Sequence, residues 1–407
     1  MFLRELLAVM LVVLLSAQVA HCDAAVVRLG MSAAFSGHAA ALGTAYYRGA
    51  YAAFSEVNRR GGVHGRLIEL VPLDDAYDPK RTVHNLVNLV EEHKVDALFG
   101  FVGTPTVTRI LPLLQHFPDG DLLLFFPYTG AHSLSEQAIA RNVFRLRTSY
   151  SHEISAAVEA LVGVGRNRFA VFHQADAYGR SGWADLRATL KAHGLEMVAE
   201  ATYTRATVTD DSDYSLQVAT LLNTSPDVIF CIGTAASCAA FTYKVRDGGC
   251  DVPVVMPSFV PIEDMLARLA QHGKVADKGY TDNLVFIGVM PQWNDLRLPL
   301  ANEYRKAVSE FADPPMPDGA WDVYTKLDDV GFEGYIAART VVRLLEGTQG
   351  SLDAGLLRQQ WARLNGSDIG GKVLHTTGRR LGLDLVRFTT VRNGALAPLH
   401  DFARWSQ

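Results

Sequence analysis

Short apolar runs alternate with helical patterns along the first part of the chain. The run Val26–Met31 is typical of a strand, and a helical pattern follows from about Ala40 to Asn58 and ends at Gly61-Gly62, as expected for C-terminal glycines. Further strands are predicted at Arg66–Leu73, Ala97–Phe101 and Leu122–Phe126. Strands that alternate with helices of about ten or more residues predict a parallel, doubly wound sheet.

The same alternation starts again after Asn142–Arg147. Strands are predicted at Phe169–His173, Met197–Tyr203, Val228–Ile232 and Val254–Met256, with helices at Trp183–Ala192, Asp213–Leu222 and about Ala236 to Arg246. Two series of similar length predict two α/β lobes. The last third is less regular: it predicts a strand at Leu284–Met290, helices at Gly331–Glu346 and Leu356–Leu364, and antiparallel strands at Gly370–Leu374 and Leu383–Val391, the second before an Asn393-Gly394 turn.

Two neighbouring strands of the first series end in similar turns. After the first, Gly103 frees the backbone, Thr104 can cap a helix and Pro105 fits the first helical position. The second strand ends in Tyr128-Thr129-Gly130 after a proline. Ligands bind at the carboxyl ends of strands in such sheets, so the two turns predict a floor for a small polar ligand, such as a carboxylate. Alternatively, Thr104 and Thr129 only cap their own helices.

Composition and motifs narrow the function. The chain has 407 residues, of which 49% are hydrophobic and 20% charged, and its net charge of -5 argues against nucleic-acid binding. The cysteines Cys231, Cys238 and Cys250 lack C-x-x-C spacing, so zinc is not indicated and mostly free, buried thiols are expected. Nucleophile-elbow, dinucleotide, phosphate-loop and H-E-x-x-H motifs are absent, which makes an enzyme the weaker hypothesis.

The N-terminus has the pattern of a secretory signal peptide over residues 1–24. Arg4 precedes the apolar run Leu6–Leu15, and small residues allow cleavage after Ala20 or after Ala24. The residues before Cys22 also resemble a lipoprotein box, but histidine is a poor residue just before the cysteine. We therefore expect a soluble periplasmic protein rather than a lipid-anchored one.

Several phrases together resemble one known family. They are Ala34-Phe35-Ser36-Gly37, Val57-Asn58 with Arg60-Gly61-Gly62-Val63-His64-Gly65-Arg66, Asp74-Asp75-Ala76-Tyr77-Asp78-Pro79, Gly100-Phe101-Val102-Gly103-Thr104 and Phe126-Pro127-Tyr128-Thr129-Gly130-Ala131. With them the chain resembles the type I periplasmic solute-binding proteins of the leucine/isoleucine/valine-binding family, the ligand-capturing subunits of ABC importers. The resemblance implies an α/β fold of two doubly wound parallel-sheet lobes joined by a three-crossover hinge. Residues 25–147 would begin lobe 1, 148–282 would form lobe 2, 283–382 would complete lobe 1, and 383–407 would return to lobe 2.

The resemblance also implies site residues in the first lobe. Gly103 and Thr104 match the turn whose amide and hydroxyl hold a ligand carboxylate, and Leu42 falls where an aromatic residue often contacts the ligand side chain. The second turn, which completes the carboxylate site and receives the ligand ammonium, matches Tyr128, Thr129 and Gly130.

In the second lobe, Tyr178 matches a tyrosine that reaches the ligand as the cleft closes, and Thr234 falls at another common aromatic position. Phe259 occupies the place of an acidic residue that pairs with the ammonium, which weakens the case for an ordinary α-amino acid. Asp176 or Glu263 lies near enough in sequence to replace that acid.

The residues also permit structural roles, with Phe259 as packing at a lobe rim, Tyr178 as part of a turn and Tyr150 as hinge packing. The function expected is an exported binding protein, without a cofactor, that captures a small amino-acid-like or carboxylate ligand by hinge closure and delivers it to an ABC permease. The alternatives are a sensory ligand-binding protein that reports to a membrane receptor and, less favoured, an enzyme.

Overall fold

A computed structural model describes residues 26–117, 122–135, 141–209, 212–311, 313–320, 326–350, 352–369, 373–376 and 382–405. The signal-peptide prediction and Cys22 therefore lie outside the described residues. Within these ranges the strands form two sheets, one of five strands and one of seven. This architecture confirms the predicted α/β class with two mainly parallel sheets.

The first lobe is built on the five-stranded sheet. Its strands are β1 (Val26–Ala33), β2 (Leu67–Asp74), β3 (Ala97–Phe99), β4 (Leu124–Phe125) and β5 (Val143–Phe144), and in the described part of the chain they pair in the order β2-β1-β3-β4-β5, all in parallel. The helices are α1 (Ala40–Arg59), α2 (Pro79–Glu91) and α3 (Thr104–Ile110), which continues as a 3₁₀ turn over Leu111–Gln115. β3 and β4 end earlier than predicted because Gly100 (φ 61°) and Phe126 (φ 51°) leave the extended conformation, and β4 also begins two residues later than predicted, at Leu124.

The second lobe is built on the seven-stranded sheet. Its parallel strands are β6 (Phe169–Gln174), β7 (Met197–Tyr203), β8 (Val228–Ile232), β9 (Val254–Met256) and β10 (Leu284–Gly288), and its helices are α4 (Tyr150–Val162), α5 (Ala177–Ala192), α6 (Ser215–Leu222), α7 (Ala235–Asp247) and α8 (Ile262–Ala276). Every residue of β8 is buried, as expected for a strand with helices on both faces. α5 begins earlier than predicted, because Asp176 caps it and Tyr178 lies in its first turn.

The C-terminal hairpin extends the same sheet. β11 (Arg387–Arg392) and β12 (Ala395–Pro398) pair antiparallel, and β11 pairs antiparallel with β10. Asn393 (φ 51°) and Gly394 (φ 74°) have the positive φ values of the tight turn that their sequence predicts.

The helices between β10 and β11 pack on the first lobe. They are α9 (Pro299–Glu310), α10 (Asp329–Gly347) and α11 (Ala354–Arg363), followed after the hairpin by α12 (Phe402–Trp405). α10 packs closely on α1 at Gly49, which has no side chain. A Cβ atom at this position would overlap the carbonyl oxygen of Gly331. The Trp361 ring of α11 packs edge-on against Phe144 of β5, with 5.7 Å between centroids. The first lobe is thus completed by residues far along the chain.

The sequence predicts that lobe 2 ends at residue 282, whereas β10, which begins at Leu284, still belongs to the second sheet. This strand pairs with β9 and β11, so the chain leaves the second sheet only after Gly288. In the described ranges the chain passes between the lobes after β5, after β10 and before β11. The strand predicted at Gly370–Leu374 falls partly outside the described residues, and Val373 makes an isolated bridge with Asp368.

The three cysteines of the described chain are free thiols, with Cys231 and Cys238 buried and Cys250 partly exposed.

Among the residues described, none of the helices combines the length and apolar character that crossing a membrane requires.

Candidate ligand-binding site

The turn after β3 is shaped by Gly103. Its φ of 110° lies in a region that favours glycine, and a Cβ atom there would overlap the Tyr77 ring. Gly103 is also the N-cap of α3, which places Thr104 at the first helical position and Pro105 at the second. The Thr104 side chain does not cap the helix, so the capping alternative is wrong for this residue.

Three buried hydroxyl groups meet at this turn, and we call them the hydroxyl cluster: Thr104, Thr129 and Tyr150. Oγ1 of Thr104 lies 2.7 Å from Oγ1 of Thr129 and 3.1 Å from the Tyr150 hydroxyl oxygen. The backbone N–H of Tyr150 donates to the carbonyl oxygen of Gly130 at 3.0 Å, which ties the start of α4 to the second turn. Thr129 also accepts from the N–H of Ala131 at 3.2 Å, so it has a local role as well. Hydroxyls in this arrangement can donate to a carboxylate.

Five aromatic rings from both lobes contact one another beside these hydroxyls and include Tyr150. We call them the aromatic cluster: Tyr77, Tyr128, Tyr150, Tyr178 and Phe259. Phe259 is the central member, with its ring centroid 4.5 Å from that of Tyr178, 5.6 Å from Tyr128 and 6.1 Å from Tyr77. The Tyr150 and Tyr178 centroids are 5.4 Å apart. Tyr77 and Tyr128 follow strands of the first sheet, whereas Phe259 follows β9 of the second. Phe259 is therefore a contact between lobes.

The site is closed in this structure. Thr104 is 1% exposed, and Tyr178 and Phe259 are completely buried. The Tyr178 hydroxyl has no hydrogen-bond partner among the residues that the structure describes. A ligand can reach these groups only when the lobes separate.

A buried arginine links the hinge to both lobes. The Nη2 group of Arg147 donates to the carbonyl oxygen and to the hydroxyl of Ser258, and Cζ lies 4.0 Å from the centroid of Tyr128. Arg147 Nε is 3.6 Å from a carboxylate oxygen of Glu333, on α10. Burial acts to lower the pKa of Arg147, but Glu333 and the nearby tyrosines outweigh burial and raise it. Beside this group lies a cavity of about 20 Å³, the size of roughly one water molecule.

A second buried carboxylate contacts the same serine. Glu153, on α4, accepts a hydrogen bond through Oε2 from the backbone N–H of Ser258 at 2.9 Å. Burial raises its pKa to about 7, although Arg147 and the hydrogen bonds from Ser258 act in the opposite direction. Its other oxygen, Oε1, has no partner among the described residues.

The two acids that the sequence offers as replacements have other partners. Asp176 accepts from the N–H of Tyr178 at 3.0 Å as the cap of α5, and lies 3.3 Å from Arg205. Glu263 accepts from the Trp293 indole N–H at 2.7 Å. Burial raises the pKa of Glu263 to about 8, and Asp329 and Asp328 add to the effect.

Leu42 and Thr234 contact residues of their own lobe. Leu42 is buried in the first turn of α1 and belongs to the main hydrophobic core. Thr234 caps α7, with its hydroxyl 3.2 Å from that of Ser237, and its N–H donates to the Tyr203 hydroxyl at 3.3 Å. The described contacts therefore give Thr234 a capping role and do not bring it into the aromatic cluster.

Sequence reasoning missed several residues of the site. Tyr77 could have been found, because it follows the end of β2 as Thr104 follows β3. Tyr150, expected as hinge packing, also contributes a hydroxyl. Arg147 and Glu153 have no such signal in the sequence, because the residue that both of them contact, Ser258, is 111 and 105 residues away.

Two hinged α/β lobes that close over a buried polar site define a two-lobed binding protein. A profile described as periplasmic binding protein matches residues 26–395, and the chain belongs to this family. Members of this family bind solutes rather than catalyse reactions.

Relatives show the same resemblance. The chain is 28% identical over 224 residues to an amino acid binding protein of Pseudomonas aeruginosa, covering 54% of this chain and 57% of that one. It is 29% identical over 233 residues to a Leu/Ile/Val-binding protein of Rhizobium johnstonii, covering 56% and 60%. The chain thus spans less than two thirds of the length of these curated relatives. The structure of a possible leucine/isoleucine/valine-binding protein from Rhodopirellula baltica matches with a TM-score of 0.80 and 28% identity, over 96% of this chain and 99% of that one.

Proposed function

We propose that this chain is an exported solute-binding protein that captures a small amino-acid-like or carboxylate ligand between its lobes and delivers it to an ABC permease. The observation that carries the proposal is the hydroxyl cluster, in which Thr104 lies within hydrogen-bond distance of both Thr129 and Tyr150. The proposed ligand contacts are Gly103, Thr104, Tyr128, Thr129, Gly130, Tyr178 and Phe259, together with Tyr77 and Tyr150.

The chemistry of the cluster favours an anionic group on the ligand. Hydroxyls donate readily to a carboxylate, and hydrogen bonds to a charged acceptor are stronger than those between neutral groups. The rings of the aromatic cluster provide an apolar surface for the rest of the ligand. Names of relatives that bind amino acids support the same class of ligand.

Capture requires a hinge motion. The groups that would hold the ligand are buried in the closed form and come from both lobes, so the ligand enters an open form and is enclosed as the lobes approach. Contacts such as that between Phe259 and Tyr128 then form around the ligand, at 5.6 Å between centroids in the closed structure.

A thermal-shift screen tests the ligand class. The panel contains the common L-amino acids, their desamino counterparts and short dicarboxylates, with sugars as a control class. A ligand at about 100 times its Kd adds roughly 2.7 kcal/mol to the free energy of unfolding, which raises Tm measurably. Stabilisation by sugars and by none of the carboxylates would contradict the proposal.

Uptake distinguishes delivery from sensing. Cells that lack the protein should lose uptake of the radiolabelled ligand, and the gene expressed in trans should restore it. Normal uptake combined with loss of a signalling response to the same ligand would favour the receptor alternative.

A further inference from the structure

The buried charges beside the cleft do not balance. Arg147 pairs with Glu333, with 3.6 Å between Nε and Oε1. Glu153 is completely buried, and within the described part of the chain no cationic side chain lies within ion-pair distance of it. One carboxylate therefore remains in surplus at this position, and an isolated buried charge is strongly unfavourable.

The position of that carboxylate relates it to the cleft. Its Oε2 accepts from the N–H of Ser258, the residue before Phe259, and Phe259 is the central ring of the aromatic cluster. Glu153 lies three residues after Tyr150 on α4, so the two side chains share one face of that helix. Burial raises the pKa of both Tyr150 and Tyr178, and the charge of Glu153 adds to that effect. Phe259 itself can neither pair with a cation nor accept a hydrogen bond from one through its side chain.

The two carboxylate oxygens of Glu153 differ in their contacts. Oε1 is buried and has no hydrogen-bond partner among the described residues, whereas Oε2 is occupied by Ser258. Buried polar atoms in folded proteins are nearly always paired, so an unpaired carboxylate oxygen at a binding cleft indicates a missing donor. The hydroxyl cluster lies nearby through Tyr150, three residues earlier on α4.

We propose that Glu153 accepts the α-ammonium group of a zwitterionic amino acid whose carboxylate is held by the hydroxyl cluster. This inference rests on the proposed function and narrows its ligand class from carboxylates in general to α-amino acids. Glu153 then does from α4 what the side chain of Phe259 cannot do from the loop after β9. An ammonium group beside Glu153 also favours the ionised carboxylate, against the effect of burial.

Calorimetry with L-leucine and its desamino counterpart 4-methylpentanoate tests the inference. The two ligands share the carboxylate and the apolar body and differ in the ammonium group. We expect the natural protein to bind L-leucine more tightly, and Glu153→Gln to weaken L-leucine binding by about ten- to hundredfold while changing 4-methylpentanoate binding less than about threefold. Glu263→Gln is the matched control, since it alters another buried glutamate that is bonded to Trp293, and both affinities should be kept.

A second readout separates ligand contact from a structural role. At about pH 6, binding of L-leucine should release a proton from Glu153, which calorimetry in buffers of different ionisation enthalpy detects, and 4-methylpentanoate should not release it. The other charged groups that act on Glu153 are Arg147 and Asp185, and neither differs between the two ligands. Glu153→Asp keeps the charge and should keep a preference for L-leucine over 4-methylpentanoate.

The outcomes are distinguishable. Equal weakening of both ligands in Glu153→Gln, equal binding of both ligands by the natural protein, or loss of L-leucine binding in Asp176→Asn alone would overturn the role of Glu153 and leave the proposed function intact. Failure of the natural protein to bind any carboxylate of the screening panel would overturn the proposed function and this inference with it.

Discussion

Arg147 donates two hydrogen bonds to Ser258, one to the carbonyl oxygen at 3.1 Å and one to the hydroxyl at 2.7 Å. Arg147 follows β5 of the first sheet, and Ser258 follows β9 of the second. The pair therefore joins the lobes beside the hinge, and the Tyr128 ring beneath the guanidinium adds a cation–π contact at 4.0 Å.

Replacing this arginine should weaken closure. Arg147→Lys keeps the charge near Glu333 but loses the planar group that bonds both oxygens of Ser258 and stacks on Tyr128. We expect a loss of ligand affinity of about tenfold or more, mainly through faster dissociation, because a hydrogen bond to a charged group contributes roughly 1.5–3 kcal/mol. Stopped-flow fluorescence measures the dissociation rate, and small-angle X-ray scattering reports the fraction of closed protein.

Arg246→Lys is the control for that variant. Arg246 is also buried, but it donates to the carbonyl oxygens of Cys250 and Asp282 within the second lobe. It should lower stability without changing the dissociation rate. Similar dissociation rates in both variants would show that the Arg147–Ser258 contact does not hold the lobes together.

Thr104→Val should separate ligand binding from stability. The substitution keeps the shape of the side chain and removes the hydroxyl, so a bound carboxylate loses one charge-assisted hydrogen bond. A bond of this kind contributes about 1.5–3 kcal/mol, which corresponds to roughly a ten- to hundredfold loss of affinity. Thr340→Val is the matched control, because the buried Thr340 hydroxyl donates to the Ile336 carbonyl oxygen on α10 at 2.8 Å. If Thr104→Val lowers Tm and leaves affinity unchanged, the hydroxyl has only a structural role.

Gly103→Ala should lower the free energy of unfolding by more than the backbone conformation at this position alone would cause. A non-glycine residue at this φ of 110° costs about 1–3 kcal/mol, and its Cβ atom would in addition overlap Tyr77. Gly165→Ala is the comparison, because Gly165 has a φ of 86° and open space around its Cβ position. Urea unfolding should show a larger loss for Gly103→Ala, and equal losses would mean that Tyr77 moves aside without cost.

Stability should fall as the pH rises from about 5 to 8. Burial raises the pKa of Glu153 and of Glu333 to about 7, against the attraction of Arg147. Between their ordinary pKa and about 7, the unfolded chain loses protons that the folded chain keeps, so the free energy of unfolding decreases with pH. Each carboxyl group contributes at most about 3 kcal/mol to this change in the free energy of unfolding. The contribution is fully present below the ordinary pKa of the group and is lost as the pH rises through about 7.

Urea unfolding at several pH values checks this dependence. Asp75, whose pKa burial also raises to about 7, contributes in the same direction, so the informative quantity is the difference between proteins. Glu153→Gln and Glu333→Gln should each show a smaller decrease between pH 5 and pH 8 than the natural protein. An unchanged decrease in both variants would mean that neither carboxyl titrates in this range.

Export predicts a shortened N-terminus. The Arg4 and Leu6–Leu15 pattern leads us to expect a periplasmic protein whose first residue lies between His21 and Val26. Intact-mass spectrometry of the protein from the periplasmic fraction measures this directly. A periplasmic protein that still carries Met1 would end the prediction.

The sequence by itself determined the elements and the turns at their ends. Apolar period and turn residues are local properties, which is why most strands of both sheets, the Gly103-Thr104 turn and the Asn393-Gly394 turn could be predicted from neighbouring residues. The short strands β5 and β12 were not predicted. The turn at Tyr128–Gly130 could be predicted in the same way, because the strand before it ends in a similar sequence to the preceding strand.

Only the tertiary structure decided which of these ends meet across the cleft and which charges are buried there. β10 joins the second sheet through pairing with β9 and β11, which its own sequence does not specify. Glu153 belongs to an ordinary helical pattern in the sequence, and only the folded chain shows that it is buried and that it accepts a hydrogen bond from Ser258, 105 residues away. Burial and hydrogen-bond partners are set by residues distant in the chain, so the charge at the cleft could be found only once both lobes were in place.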